Sequence, residues 1–417
     1  MNKYPYLFLI GGIFSLMIAM GIGRFAYTPI LPLMQSALSF SDAAAGYLAS
    51  SNYAGYFLGA VLAGVLPLKK HKTFYLRAGL MVSILTTWGM GLSHSYLLML
   101  VIRFISGISS AFIFVLASSI VLDKLAANDR TNWSGLFYAG VGFGIFLSSL
   151  IIPSLNHLFD WEGTWVGLAF VSGILTIFVW MWLKDSQNNV AQKDKQEVIT
   201  YLPPVKWIPW LITAYGLEGL GYIVTGTFIV SIAEKTSTFS TDPTLIWVVA
   251  GAAAIPSCVI WSSLAKKWGF VKSLIFAMGL QSLGIVMPVF WISQTSLFIS
   301  AILFGATFMG ITTLATTLAR QISASNSSRI IGYLTAAYAV GQMVGPTMAG
   351  VLSSFTNNYN AALIGASGAV IAGICLLANG IKFEKKLGSD HLPIKYKKLQ
   401  KWKEVHCYAI CKYKNHK

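Results

Sequence analysis

Tyr6–Leu33, YLFLIGGIFSLMIAMGIGRFAYTPILPL, carries one charged side chain, Arg24, and no other. A helix that crosses a bilayer needs about 20 predominantly apolar residues, so this stretch reads as a membrane span. Eleven further stretches read the same way, at 44–68, 74–93, 96–122, 134–153, 164–183, 207–232, 245–265, 273–292, 297–319, 330–355 and 361–381. Charged residues make up 11% of the 417, and the mean hydropathy is +0.66. A water-soluble chain of this length needs more polar surface. The expectation is an all-α polytopic membrane protein with twelve transmembrane helices.

The formal net charge of +16 invites a nucleic-acid reading, but the placement of the charges argues against it. With the N-terminus inside and spans alternating, 27 of the 30 Lys and Arg fall in inner segments. They include Lys69, Lys70 and Lys72 after span 2, Lys266 and Lys267 after span 8, and a basic tail. Lys235 alone lies in an outer loop, and Arg24 and Arg103 lie inside spans. This is the positive-inside bias of cytoplasmic loops. It predicts both termini in the cytoplasm and the bilayer, not nucleic acid, as the partner. No cleavable signal peptide is expected, because the first apolar run lacks a cleavage site and continues as a span. Cys258 and Cys375 lie in spans and read as packing residues. Cys407 and Cys411 beside His406 bear a weak likeness to a metal clip, short of the paired ligand sets that mark one. No metal or cofactor is expected.

The longest internal polar segment separates spans 6 and 7. It divides the chain into residues 1–183, a cytoplasmic linker at 184–206, residues 207–382 and a basic cytoplasmic tail at 383–417. The tail reads either as an amphipathic helix on anionic lipid or as a disordered basic segment that reinforces orientation. The two six-span halves echo each other, as internal repeats do. Gly21-Ile22-Gly23-Arg24-Phe25-Ala26-Tyr27 aligns with Gly216-Leu217-Glu218-Gly219-Leu220-Gly221-Tyr222. The loops after spans 2 and 8, with their lysines, match in position. Gly135 and the Gly140/Gly142/Gly144 cluster of span 5 answer Gly332 and Gly341-Gln342-Met343-Val344-Gly345-Pro346 of span 11.

These features resemble the major facilitator superfamily over residues 4–382. Arg103-Phe104-Ile105-Ser106-Gly107-Ile108-Ser109-Ser110-Ala111 is similar to its fourth-helix motif. Gly64-Val65-Leu66-Pro67-Leu68-Lys69-Lys70-His71-Lys72 resembles its second-to-third-helix loop, with Leu68 where that motif has an Asp. Gly341-x-x-x-Gly345-Pro346-x-x-x-Gly350 resembles a glycine–proline antiporter motif, displaced from span 5 to span 11. Gly21–Pro32 resembles the first-helix signature of the YbfB/YjiJ branch. The resemblance implies two pseudo-symmetric six-helix bundles, a bacterial inner-membrane location, a monomer, and secondary active transport of a small molecule. It also implies that helices 1 and 7 line a central cavity.

Ionisable groups within spans are costly and mark pathways. Three lie deep: Arg24, Arg103 and Glu218. Arg24 and Glu218 stand one position apart in the echo, and the expectation is that they meet across the cavity. An acid that gains and loses a cationic neighbour exchanges a proton as it does so. Glu218 is therefore the candidate proton-coupling carboxylate and Arg24 the candidate anion-binding group; the alternative is a pair that only neutralises itself. Arg103 is a candidate for proton coupling by the motif resemblance, or else a tie between helices 4 and 1. Tyr27, Asn52, Tyr53, Tyr138, Tyr215, Tyr222, Trp247, Tyr338 and Gln342 are candidate substrate-binding groups at cavity depth, each with a plain packing alternative. The lysines of the two echoed inner loops are candidate gating groups. Pro29 and Pro32 should break the outer end of span 1.

An enzyme is not expected, since all six histidines lie in loops or the tail and one buried Glu is a poor catalytic set. No Gly-Lys-Ser/Thr phosphate loop occurs, against an ATP-driven pump. Proton-coupled uptake of an organic anion or zwitterion is the first reading. Efflux of a small amphiphile or drug is the second, and a channel or receptor the reading from another class.

Overall fold

The computed structural model describes residues 5–66, 71–183, 202–237, 239–323 and 327–384, and their regular structure is wholly helical. The linker at 184–201, Lys69, Lys70 and the tail with Cys407 and Cys411 lie outside the described residues. Among the described residues, eight helical segments are long and apolar enough to cross a membrane.

The first span is not one α-helix. α1 (Pro5–Leu16) passes into a π-helical stretch, Met17–Phe25, and resumes as α2 (Tyr27–Leu38). π-helical turns are rare and cluster at functional sites, and this one carries Arg24. The break was expected at Pro29 and Pro32, yet Pro32 sits inside α2. The proline has a different effect. Pro29 has no N–H to give the carbonyl four residues back, and that carbonyl, Phe25 O, accepts from Trp247 Nε1 at 3.1 Å instead.

The remaining helices are α3 (Asp42–Val65), α4 (Lys72–Leu92), α5 (Tyr96–Ala127), α6 (Ser134–Trp182), α7 (Ile208–Glu234), α8 (Thr244–Trp268), α9 (Phe270–Phe290), α10 (Gln294–Ile322), α11 (Ser327–Thr356) and α12 (Asn360–Ala378). α6 takes in both expected spans 134–153 and 164–183. Asp160, at φ 57, breaks its helical geometry between them.

Helices before residue 183 pack chiefly among themselves, as do those after 205. Among the described residues three main seams join the two sets: α6 with α8, α3 with α11, and α2 with α7. Small residues let the backbones close. Gly350 lies against the carbonyl of Asp42, and Gly46 against that of Pro346, so a methyl group at either glycine would collide with backbone. Close approach through small residues is how membrane helices gain packing energy where no hydrophobic drive exists. Within the second set, Gly341 lies on the Gly216 carbonyl in the same way, which accounts for part of the glycine–proline pattern as packing.

Candidate functional site

Arg24 is 3% exposed. Its guanidinium lies over three rings of its own helix set, 4.5 Å from the centroid of Tyr56, 4.6 Å from Tyr53 and 5.3 Å from Phe25. Cation–π contact of this kind is worth about 2 kcal/mol or more once water is removed. Nε and Nη2 have no hydrogen-bond partner among the described residues, and no carboxylate stands within ion-pair distance. From the second set, Tyr222 and Tyr338 come within its electrostatic reach.

Those two tyrosines belong to a stack. Tyr215 and Tyr338 lie 4.2 Å apart with 10° between planes, and Tyr338 and Tyr222 lie 5.5 Å apart at 13°. Phe308 and Phe304 continue the stack to Trp247. Phe25 meets it from the first set, edge-on to Phe308 at 5.8 Å. The polar rims are partly satisfied: Gln342 Nε2 donates to the Tyr222 hydroxyl, and the Tyr215 hydroxyl donates to Thr312 Oγ1 at 3.2 Å. The result is a cation on one wall facing aromatic planes on the other.

Glu218 does not meet Arg24, which corrects the sequence expectation. Each residue advances an α-helix by about 100°, and Glu218 aligns with Gly23, one position from Arg24. That offset turns it to another side of α7. Gly221, one turn on, lies against Ala366 and Val370 of α12, and Ala214, one turn back, lies against Gly373 of α12. Glu218 sits between them, fully buried, with Gln281 of α9 beside it. Neither carboxyl oxygen has a hydrogen-bond partner among the described residues. Tyr215 and Tyr338 lie within its electrostatic range, so members of the tyrosine stack come within reach of both the acid and Arg24.

Arg103 serves the π-helical stretch. Its Nη1 donates to Gly23 O at 3.1 Å, Ser106 Oγ donates to the same carbonyl, and Ser110 Oγ donates to Ala19 O at 2.9 Å. Three side chains of α5 thus take up carbonyls of the irregular turn. Tyr27 lies under the Arg103 guanidinium at 4.6 Å and donates its hydroxyl to Ala45 O, while Asn52 Nδ2 donates to Arg103 O. These contacts are the helix tie that the sequence left as an alternative. Tyr138 packs on Phe137 and Phe114. Of the candidate gating lysines, Lys72 pairs with Asp123 at 3.0 Å and Ser119 at 2.7 Å, joining α4 to α5 within one set. Lys266 and Lys267 are exposed in the last turn of α8.

Sequence reasoning missed a junction at the end of the molecule where α2 leads into α3. Asp42, 8% exposed, binds Lys235 Nζ through both oxygens, at 2.9 and 2.7 Å. It also accepts from Ser353 Oγ and Gln35 Nε2, and Gln35 Oε1 accepts from Ser231 Oγ. Burial alone would raise the Asp42 pKa, but Lys235, Ser353 and Gln35 outweigh it and hold the carboxyl below its ordinary value. Further bonds cross the seams nearby: Thr28 Oγ1 to Gly226 O, Ser50 Oγ to Met343 O, Thr347 Oγ1 to Ser50 Oγ, and Ala43 N to Ser354 Oγ. A further bond between the two sets, Trp247 Nε1 to Phe25 O, lies beside Arg24. The signal was present, since Lys235 is the only Lys or Arg in the expected outer loops and Asp42 the only charge between the expected spans 1 and 2.

The profile of a family described as the uncharacterised MFS-type transporter YbfB matches residues 16–377. The chain belongs to this family of MFS transporters. It is a multi-pass membrane transporter and not an enzyme. The uncharacterised MFS-type transporter YceJ of Bacillus subtilis is 25% identical over 362 residues, 84% of this chain and 90% of that protein. The class G tetracycline resistance protein of Vibrio anguillarum is 22% identical over 66% of this chain and 71% of its own length. The sialic acid transporter NanX of Escherichia coli is 20% identical over 67% and 70%. Among solved structures, the nucleoside transporter NupG superposes with a TM-score of 0.66 at 15% identity, over 93% of this chain and all of that one. That likeness establishes the fold alone.

Proposed function

We propose that this transporter is a twelve-helix, proton-coupled carrier of the bacterial inner membrane that takes up a small organic anion or zwitterion by alternating access. One observation carries the reading: a buried guanidinium, wrapped by rings and matched with no acid, keeps two N–H-bearing nitrogens without acceptors. Buried polar groups normally find partners, and Arg is the residue suited to a carboxylate fork. An anionic substrate supplies what the fold leaves out. The positive-inside bias puts the lysine-rich end in the cytoplasm, so the Asp42 end faces outward. The cross-bonds at that end then describe a carrier shut to the outside, one of the two states that rocking halves visit.

In this reading α6 crosses twice, and residues 1–183 and 207–382 are the rocking halves of a monomer. Glu218 is the proton site, within reach of the tyrosine stack and sensed through it. Arg103 holds the irregular turn of helix 1 that aims Arg24. The second reading, efflux of a planar amphiphile, draws on the ring stack and on the tetracycline resistance proteins among the relatives.

The test is a thermal-shift screen of organic acids, amino acids and planar amphiphiles on the purified full chain, with hits carried into proteoliposomes with and without a pH gradient. Uptake of a carboxylate driven by an inward proton gradient is the expected result. Stabilisation by neutral or cationic amphiphiles alone, with outward flux, would favour efflux and overturn the uptake reading.

A further inference from the structure

Beside the Asp42 junction lies a cavity of about 240 Å3 at the mouth of the second helix set. Lys235, Ser293, Asn357, Asn358, Tyr359 and Asn360 are among its lining. Lys235 belongs both to this cavity and to the ion pair. Its side chain is 47% exposed, whereas that of Asp42 is 8% exposed. The ammonium presents three N–H donors, and Asp42 receives two contacts. The hydroxyl of Tyr359, in a residue 4% exposed, lies beside Asp42 and Ser353 without a completed hydrogen bond. Asp42 therefore has Ser353, Gln35 and Tyr359 around it besides the lysine.

The electrostatics of this end single out the same cavity. Its other charged side chains are acids: Glu234, Asp160 and Glu162 line a neighbouring cavity, and Asp242 caps the start of α8. Lys235 is the only Lys or Arg in the expected outer loops. An anion arriving from outside meets one fixed positive charge, and that charge is the one that ties the two helix sets together.

We propose that this cavity is an outer binding site for a small carboxylate, and that a carboxylate seated there draws Lys235 from Asp42 and so releases the closed end of the carrier. The binding step rests on the cavity and its lysine; the release step also rests on the carrier reading above. The site differs from the one at Arg24, which lies deeper and behind the closed seams. A carboxylate and Asp42 compete for one ammonium, so the affinity of the site is set by the strength of the junction it breaks.

Two measurements test this on the full-length chain, with acetate and benzoate as probes and acetamide and benzamide as uncharged controls. In right-side-out vesicles, a cysteine placed by Thr347→Cys reports opening by its labelling with a membrane-impermeant maleimide, against the parent chain as background. The carboxylates should raise the labelling rate saturably and the amides should not. Asn360→Leu, which alters the cavity wall, should weaken that response. In purified protein, titration calorimetry should show benzoate binding about fivefold tighter in Asp42→Asn, since the half-exposed ion pair that competes for Lys235 is worth about 1 kcal/mol. Lys235→Gln should abolish this binding.

Equal labelling with carboxylates and amides, or unchanged benzoate affinity in Asp42→Asn, would overturn the proposal. If Arg24→Gln removes the labelling response and Asn360→Leu leaves it, the probe acts at the deep site; the outer site is then wrong while the carrier reading stands. If the outer site binds benzoate as described but no organic acid is transported, the carrier reading fails and the outer site survives.

Discussion

Arg24 and Glu218 occupy almost the same place in two echoing segments, and the fold treats them in opposite ways. Arg24 lies over Tyr53, Tyr56 and Phe25 of its own set, with Tyr222 and Tyr338 of the other set within electrostatic reach. Glu218 is turned back into its own set, against α9 and α12, beside Gln281. One residue of register separates them in the alignment, and one residue is about 100° of helix. The irregular turn at 17–25 adds to the difference, because α7 has no matching π-helical stretch. The lesson is that the two buried charges sit in separate surroundings, and the proposed roles divide with them: Arg24 for the solute, Glu218 for the proton.

The largest expected effect bears on the first of these. Arg24→Gln should weaken binding of any carboxylate found in the screen by about 10- to 100-fold, the range for losing a hydrogen bond to a charged group. Arg24→Lys should recover part of that, since it keeps the charge and loses the fork. Binding that is indifferent to both variants would erase the contrast. Next in size, Glu218→Gln should make uptake insensitive to an imposed pH gradient. Gln281→Leu should shift the pH profile of uptake without abolishing it, a result that a purely packing role for the pair does not produce.

Smaller effects are expected at the ties. Arg103→Lys should lower thermal stability by about 1–2 kcal/mol through loss of the contact to Gly23 O, and should disturb Arg24 only through the turn that carries it. At the Asp42 junction the sign of the pH effect is fixed. The carboxyl is held below its ordinary value, so near that value the folded protein binds fewer protons than the unfolded chain. The junction's contribution is fully present above the ordinary carboxylate range and is lost as pH falls through the lowered value. Lys235 is half-exposed, so the ion pair itself is worth only about 1 kcal/mol. Calorimetric unfolding of wild type and Asp42→Asn should differ at pH 7 and converge in strong acid; a difference that grows on acidification would contradict this.

Much of the architecture was legible because a bilayer admits few solutions. Runs such as Tyr6–Leu33 and the uneven placement of lysine are readable from solvent and charge alone, and so is the burial of Arg24, Arg103 and Glu218 within helices. Their partners were not legible. Helix 1 was read as α-helical to its prolines, and nothing in the residues Met17–Phe25 announces a π-helical stretch; it is held by carbonyl contacts from Arg103, Ser106 and Ser110 on a distant helix. The facing of Glu218 turned on a one-residue alignment offset that the echo itself contained. Tyr56 follows Tyr53 at the spacing that puts both on one helix face, so its place over Arg24 could have been read. Asp42 was overlooked because the expected spans left it in a loop, where a charge is ordinarily unremarked, whereas it opens α3.

The division of labour between Arg24 and Glu218 is tested most directly by counterflow and gradient-driven uptake, measured side by side in proteoliposomes with the first carboxylate the screen returns. Arg24→Gln should lose both activities, whereas Glu218→Gln should lose accumulation and keep counterflow. If the two variants fail alike, or if Glu218→Gln still accumulates solute on a proton gradient, the two sites are not separate in function and the account is wrong.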